Sequence, residues 1–230
     1  MKNLGLARLV DRRAKESEQN FPDMTSRFPA VTDPIDQAAL AKVLEDAHDD
    51  DTVRNEVANL LRRSNYPGLD DSLLRVLKNP EEKERFRAFA AQHLGDMAQM
   101  QNKKDTVVPE LRKLLEDPHF AVRREALLAL VRLKDEKGKE TAVKWLKEDS
   151  PDASKSRDLT IRCVRELGLK EYLPEVRELG KSPDEATCIA ALVTLSEWRD
   201  VESRPLFESA AQSRVVRLQR AGQAALKHLE

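Results

Sequence analysis

The residue types that most often do chemistry are scattered along this sequence in no catalytic pattern. The chain of 230 residues has four histidines, His48, His93, His119 and His228, and none stands at the spacing of a metal-binding helix. The sequence contains no Gly-x-Gly loop for a phosphate, no Cys-x-x-Cys pair and no recognisable turn that would expose a nucleophilic serine. We therefore predict no catalytic residues, no metal site and no cofactor.

An acidic run and two cysteines are the next candidates. His48 is followed by Asp49–Asp51, a group that a cation could bind. Carboxylates directly before a helix also cap its free amides and complement its dipole, and we expect this second role. Cys163 and Cys188 lie among apolar residues, so we expect two reduced, buried thiols. Their separation of about one repeat leaves a disulfide open.

The elements that must position these residues are helices, because one apolar stripe recurs along the chain. Val53, Val57 and Leu61 are spaced i, i+4, i+8, which places them on one face of a helix. The same spacing begins again at Phe86, Val122, Leu159, Thr187 and Leu218, after gaps of 33, 36, 37, 28 and 31 residues. Gaps of this size are typical of helical repeats.

Each of these helices follows a shorter amphipathic one across a short turn. The shorter helices are predicted at Gln37–Ala47, Asp71–Leu77, Val107–Leu115, Glu140–Lys147, Glu171–Leu179 and Pro205–Ala211. Because the connections are short, the two helices of a pair must be antiparallel. We predict an all-α fold, a right-handed α-solenoid (superhelix) of about six helix pairs, roughly twelve helices, over residues 33–230. Residues 1–32 are predicted to form an N-terminal arm, a short helix plus loop.

The turn and second helix of each pair resemble the HEAT repeat family, in its short bacterial form named after phycobilisome lyases. That form carries Asp, then Val-Arg, then Ala, then Leu-Gly. The stretch from Asp117 past Arg123 to Leu130 fits it best. The resemblance implies that the arginine pairs with an acidic residue of a turn, often in a neighbouring repeat. We expect this structural role for Arg54, Arg87 and Arg123.

The later repeats depart from this pattern. In the fourth repeat the position of the arginine holds Thr160, and in the last two it holds Cys188 and Gln219. Tetratricopeptide and ankyrin repeats fit less well, because their characteristic residues are missing from the first helices.

Stacked helix pairs with a small rotation per pair form a curved surface that the second helices line. We therefore predict a non-enzymatic scaffold that binds another protein on its concave face. The expected contacts stand mostly two and six positions beyond the start of a stripe, and they are Asn55, Asn59, Gln92, Arg124, Leu128 and Arg165. The family resemblance leaves one alternative, a lyase-like protein that handles a phycobilin chromophore.

Nucleic-acid binding is a second alternative, which the charge disfavours. Positive and negative residues nearly cancel, with a formal net charge of -1, whereas phosphate binding needs clustered cations. The exception is the C-terminal helix, where Arg214, Arg217 and Arg220 form a basic stripe that could bind an anionic partner. HEAT-like DNA glycosylases hold a nucleotide with aromatic residues, but we expect Trp145 and Trp198 to pack between repeats.

The sequence contains no apolar run of the roughly 20 residues that a membrane helix needs. Its first ten residues lack the continuous apolar stretch of a signal peptide. We expect a cytoplasmic protein, and export followed by removal of a leader is the open alternative.

Overall fold

The computed structural model describes residues 30–100 and 103–229, so the predicted N-terminal arm lies outside the described residues except for residues 30–32. Every regular element in the described part is helical. The α-helices are α1 (Pro34–Glu45), α2 (Asp51–Arg63), α3 (Leu69–Lys78), α4 (Glu84–Met100), α5 (Lys104–Leu114), α6 (Phe120–Arg132), α7 (Glu136–Lys147), α8 (Pro151–Lys155), α9 (Arg157–Glu166), α10 (Leu173–Leu179), α11 (Glu185–Glu197), α12 (Arg204–Ala211) and α13 (Val216–Leu229). Short 3₁₀ turns at Lys170–Tyr172 and Val201–Ser203 precede α10 and α12.

These helices form the predicted pairs, and one pair differs from expectation. α1 packs on α2, α3 on α4, α5 on α6, α7 on α9, α10 on α11 and α12 on α13. The all-α, HEAT-like fold is therefore confirmed. The described residues contain 13 α-helices because the second helix of the fourth pair is broken at Ser156 into α8 and α9.

The chain divides into two compact units, the first ending at Leu133 and the second beginning at Lys134. In the first unit α2, α4 and α6 pack side by side as one layer, and α1, α3 and α5 cover their apolar faces. Leu61, Leu94 and Leu130, which end the first three predicted stripes, are completely buried in the core of this unit. The predicted stripe is thus the face that each second helix buries.

The second unit repeats this arrangement with its own core. Here α9, α11 and α13 pack side by side. Leu195 and Phe207 are completely buried at the centre, and Trp198 packs against the same cluster. Cys163 on α9 and Cys188 on α11 are both buried.

The acidic run before α2 acts as a helix cap. One Asp50 carboxylate oxygen accepts hydrogen bonds from the amides of Thr52 at 2.9 Å and Val53 at 3.1 Å. These bonds, that of Val53 foremost, hold the pKa of the Asp50 carboxyl below its usual range. Side chains at the same position cap three later helices: Asp135 for α7, Ser150 for α8 and Asp184 for α11.

The first arginine of the predicted ladder is completely buried. Arg54 donates from Nε to the carbonyl oxygen of Leu44 at 3.0 Å, near the C-terminal end of α1. Its two terminal nitrogens both bind the buried carboxylate of Glu82, in the turn of the next repeat. The guanidinium lies over the Phe86 ring, 3.7 Å from the ring centroid. This arginine joins two neighbouring repeats, as the resemblance implied.

Three further arginines hold the same kind of turn. Arg87 donates to the carbonyl oxygen of Leu77 at 3.3 Å and pairs with Asp117 at 2.5 Å. Arg123 donates within its own turn to the carbonyl oxygen of Asp117 at 2.6 Å. In the fourth pair Arg157 donates to the carbonyl oxygens of Leu146 and Glu148. The sequence pattern placed this arginine at position 160, where the chain has Thr160, and the structure places it three residues earlier.

Among the described residues, no helix combines the length and the apolar character needed to cross a bilayer.

Candidate functional site

The second helices of the first unit carry a polar network that joins α2, α4 and α6. We call it the first-unit network, and its members are Asn55, Asn59, Arg62, His93, Asp96, Glu125 and Arg132. On each helix these residues lie beside the apolar stripe, because the stripe packs on the first helices of the pairs. The network therefore runs along the layer, from one second helix to the next.

His93 is the most buried member, with 6 % of its surface exposed. Its Nε2 lies 2.8 Å from Oδ1 of Asn55 on α2. Because an amide oxygen only accepts, Nε2 carries the proton and donates, which leaves Nδ1 as an acceptor. Burial, followed by the positive charge of Arg62, lowers the pKa of His93 to about 4. The imidazole is thus neutral near neutral pH, and its buried Nδ1 has no hydrogen-bond partner among the described residues.

Asp96 lies one turn further along α4 and connects all three helices. Its Oδ2 accepts from Nη1 of Arg62 on α2 at 2.5 Å, and its Oδ1 accepts from Nη1 of Arg132 on α6 at 3.2 Å. Arg62 also donates from Nη2 to Asn59 at 3.1 Å. One carboxylate therefore fixes two arginines from the neighbouring helices.

Glu125 adds a second carboxyl on α6. Burial raises its pKa, and the negative charge of Asp96 acts in the same direction, while Arg124 and Arg132 act against the rise. A carboxyl that keeps its proton to higher pH can donate a hydrogen bond as well as accept one.

The network therefore offers a neutral imidazole, two carboxyls, two guanidinium groups and two amides on one helical layer. Side chains with perturbed pKa values that gather in one place are characteristic of functional sites, although structural ion pairs also perturb pKa values. Such groups can bind the polar groups of a peptide and orient a reacting side chain. In the described part of the chain, no group of three or more His, Cys, Asp or Glu side chains is placed to hold a metal ion.

The predicted contact residues of the first unit fall into two sets. Asn55 and Asn59 belong to the network, where their side chains are bonded to α4 and to Arg62. Gln92 and Arg124 are exposed, and Leu128 is half-buried. Gln92 and Arg124 therefore remain the accessible members of the predicted surface.

Two of the contact residues predicted in the second unit, Arg165 and Arg217, form ion pairs. Arg165 donates from α9 to a glutamate of α11 at 3.0 Å. The predicted basic stripe is only partly on the final helix, because α13 begins at Val216 and Arg214 precedes it. Arg217 pairs with a glutamate at the start of α11 at 3.1 Å, and all three arginines are exposed.

Sequence reasoning missed His93, Asp96, Arg62 and Glu125 as members of a site. The histidine spacing tests only for a metal-binding helix and says nothing of a hydrogen-bonding role for His93. A signal was present, because His93 and Asp96 are spaced i, i+3 on one helix, on either side of the buried Leu94. Two polar residues at that spacing beside a core stripe indicate a face that meets another polar surface.

Comparison with known proteins finds one matching family model and two similar enzymes. Residues 71–157 match the family model for HEAT repeats. Deoxyhypusine hydroxylase of Gibberella zeae is 31 % identical over 133 residues, which is 58 % of this chain and 36 % of that protein. Deoxyhypusine hydroxylase of Chaetomium globosum is 32 % identical over 120 residues, 52 % of this chain and 31 % of that protein. The chain spans about a third of the length of the curated relatives it matches.

Solved structures resemble this chain in fold. The complex of CpcE and CpcF of phycocyanin lyase from Nostoc sp. PCC7120 has a TM-score of 0.57 at 19 % identity, covering 88 % of this chain and 80 % of that chain. A designed armadillo repeat protein has a TM-score of 0.53 at 19 % identity, covering 98 % of this chain and 100 % of that chain. At such identities the likeness shows the fold alone.

The comparisons correct one expectation from the sequence. The prediction of a non-enzymatic scaffold, and with it the prediction that the chain is not an enzyme, is wrong, because the curated relatives are enzymes. The physical reason for the error is that a repeat fold provides surface, and surface geometry alone does not distinguish a binding protein from an enzyme built on the same repeats.

Proposed function

We propose that this chain, a HEAT-like repeat protein, works as part of an enzyme that modifies a protein, and that the second helices of its first unit hold the protein substrate. The observation that carries the proposal is the similarity to two deoxyhypusine hydroxylases over 133 and 120 residues. The name of those relatives specifies hydroxylation of deoxyhypusine, and for this chain we propose only the broader class of protein modification.

The first-unit network supports the substrate-holding role. Arg62 and Arg132 are fixed by Asp96, so their guanidinium groups are already oriented before a substrate arrives. Preorganised donors bind a peptide with a smaller loss of side-chain entropy than mobile ones. Gln92 and Arg124 are exposed on two helices of the same layer, where they can contact a polypeptide.

A binding measurement tests the surface. The probe is a protein that bears deoxyhypusine, compared with the same protein before modification, and surface plasmon resonance follows binding to the full chain. We expect Arg124→Glu to weaken binding about tenfold, because it reverses the charge of an exposed contact. The matched control is Lys104→Glu, the same charge change at an exposed position of α5, in the layer of first helices. Equal affinities for the two variants would show that the chosen face is wrong.

A genetic measurement tests the enzymatic part. Host cells with and without the gene for this chain are compared by intact-mass spectrometry of their proteins. We expect one protein to lose a covalent modification in the deletion strain, and to regain it when the natural chain is restored. A host proteome with identical modifications in both strains would refute an enzymatic role.

The cytoplasmic location stays a prediction within this proposal. A protein substrate in the cytoplasm would be consistent with it, and fractionation of host cells with an antibody against the chain would measure it.

A further inference from the structure

The second unit contains a cleft of about 360 Å³ between α9, α11 and α13. Its floor is formed by one stripe of α11: Ala186, Ile189, Ala190 and Val193. These positions are spaced i, i+3, i+4, i+7, so they share one helical face. Ala190 also belongs to the core cluster with Ala191 and Leu195, whereas Ala186, Ile189 and Val193 lie outside that cluster. α11 is thus apolar on two sides, and one of them lies open in a cleft.

Arginines line this apolar floor from both sides. Arg162 and Arg165 stand on α9, and Arg217 stands on α13. Their side chains are 51 %, 26 % and 76 % exposed, so each can reach a ligand in the cleft.

Each of these arginines has a carboxylate partner, and the partner of Arg162 lines the cleft itself. Arg162 pairs with Asp158 at 2.6 Å, one turn away on the same helix. The partners of Arg165 and Arg217 are the last and first residues of α11, at 3.0 and 3.1 Å. A guanidinium has five N–H donors, so one carboxylate does not use them all. The middle of the floor contains no acidic residue, and the arginines can bind a further carboxylate there.

The third wall increases the positive charge on one side. From Ser209 to Leu229 the sequence contains no acidic residue, while Arg214, Arg217, Arg220 and Lys227 are present. Of these four residues, Arg217 lines the cleft and supplies its positive charge on the side of α13.

We propose that this cleft binds an acidic protein segment that places one apolar side chain on the floor and carboxylates against the arginines. The apolar floor selects the apolar side chain of the ligand, and the arginines around it select the carboxylates. An aliphatic side chain buries its surface on Ile189 and Val193, and acidic neighbours pair with Arg162 and Arg217. Among the described residues no aromatic side chain lines the cleft, so the cleft offers no surface there on which a nucleic-acid base could stack.

The proposal is independent of the substrate-holding role of the first unit. All residues that line the cleft belong to the second unit, and none belongs to the first-unit network. A failure of either test therefore leaves the other proposal standing.

The experiment uses the full chain and four labelled probes in fluorescence anisotropy. The first probe is a short peptide of the type Glu-Glu-Leu-Glu-Glu. The second replaces its Leu by Ser, the third replaces its Glu residues by Lys, and the fourth is a single-stranded DNA oligonucleotide. We expect saturable binding of the first peptide, at least about tenfold weaker binding of the other three, and a loss of affinity as salt is raised.

The matched variants are Arg217→Glu and Arg220→Glu, which make the same charge change on the same helix. Arg217 lines the cleft, whereas Arg220 does not. We expect Arg217→Glu to weaken binding of the acidic peptide about tenfold, and Arg220→Glu to change it by less than about twofold. Both arginines are exposed, and circular dichroism verifies that the variants are folded. Equal losses in the two variants, no saturable binding, or equal affinity for the oligonucleotide would each overturn the proposal.

Discussion

At the residue scale, the pair of Arg54 and Glu82 is the clearest case of a sequence motif with a structural purpose. Both side chains are completely buried, and the arginine also donates to a carbonyl oxygen at the end of α1. A buried charge is tolerated when it is paired and its other hydrogen-bonding groups are satisfied. The pair is therefore stable only while both charges are present. Removing one side chain should lower the free energy of unfolding more than replacing both.

This reasoning predicts the outcome of a double-mutant cycle. We expect Arg54→Leu to lower the free energy of unfolding by about 3–5 kcal/mol, because the Glu82 carboxylate is left buried without its partner. The double variant Arg54→Leu/Glu82→Leu should recover a substantial part of that loss. Urea denaturation followed by circular dichroism measures both. A double variant less stable than Arg54→Leu would contradict the argument.

His93 gives a second prediction at this scale, with a definite sign. The unfolded chain protonates this imidazole near pH 6.5, whereas in the folded chain the pKa is about 4. Between these values the unfolded state binds more protons, so the contribution of His93 is complete above pH 6.5 and is lost as the pH falls toward 4. The full loss is about 3 kcal/mol.

The measurement is the urea midpoint of the natural chain and of His93→Gln at several pH values. Gln can keep a hydrogen bond to Asn55 but does not titrate, so stability should fall less steeply with acid in the variant. The comparison is made between about pH 6.5 and pH 5, above the ordinary range of carboxyl groups. His48→Gln is the control, and a natural chain with the same slope as His93→Gln would disprove the role of His93.

At the element scale, α4 and α6 approach each other closely at Gly95. A methyl group added to Gly95 on α4 would lie 2.4 Å from the Cβ of Ala129 on α6. The two helices can pack this closely because Gly95 has no side chain. The glycine of the Leu-Gly pattern thus allows close packing against Ala129.

We therefore expect Gly95→Ala to destabilise the chain by about 1–3 kcal/mol through overpacking. This loss outweighs the gain of about 1 kcal/mol that Ala brings to a helix relative to Gly. The variant Gly95→Ala/Ala129→Gly removes the clashing Cβ and should regain part of the stability. Thermal unfolding compares the three chains. An increase in stability for Gly95→Ala alone would show that the helices can move apart at no cost.

The break at Ser156 shows that an apolar pattern predicts helix pairs but does not predict where a helix is interrupted. The repeat period and the apolar stripe are local properties, so the six pairs followed from the sequence, as did the buried positions Leu61, Leu94, Leu130 and Leu195. The contacts of Arg157 could not be predicted in this way. The break at Ser156 makes α9 begin at Arg157, and this residue takes the role that the pattern assigned to position 160. The first-unit network was missed for a related reason: its bonds connect residues about one repeat apart, and a local pattern does not fix the register between repeats.

At the scale of the whole molecule, each unit has its own core, and both tryptophans belong to the second unit. Tryptophan fluorescence therefore follows the unfolding of the second unit. Phe207 is completely buried in that core, and Phe207→Ala should lower its stability by about 3–5 kcal/mol. The urea midpoint seen by fluorescence measures the loss, and an unchanged midpoint would contradict the central place of Phe207. Leu206→Ala, at the half-buried neighbouring position, is a matched comparison with a smaller expected effect.

The location of the two cysteines has a practical consequence. Cys163 and Cys188 are both buried in the second unit, and the sequence has no other cysteine. A thiol introduced at the exposed Gln92 would therefore be the one that a bulky maleimide dye reaches first in the native protein. A single dye on α4 would report directly when a polypeptide arrives at the first unit.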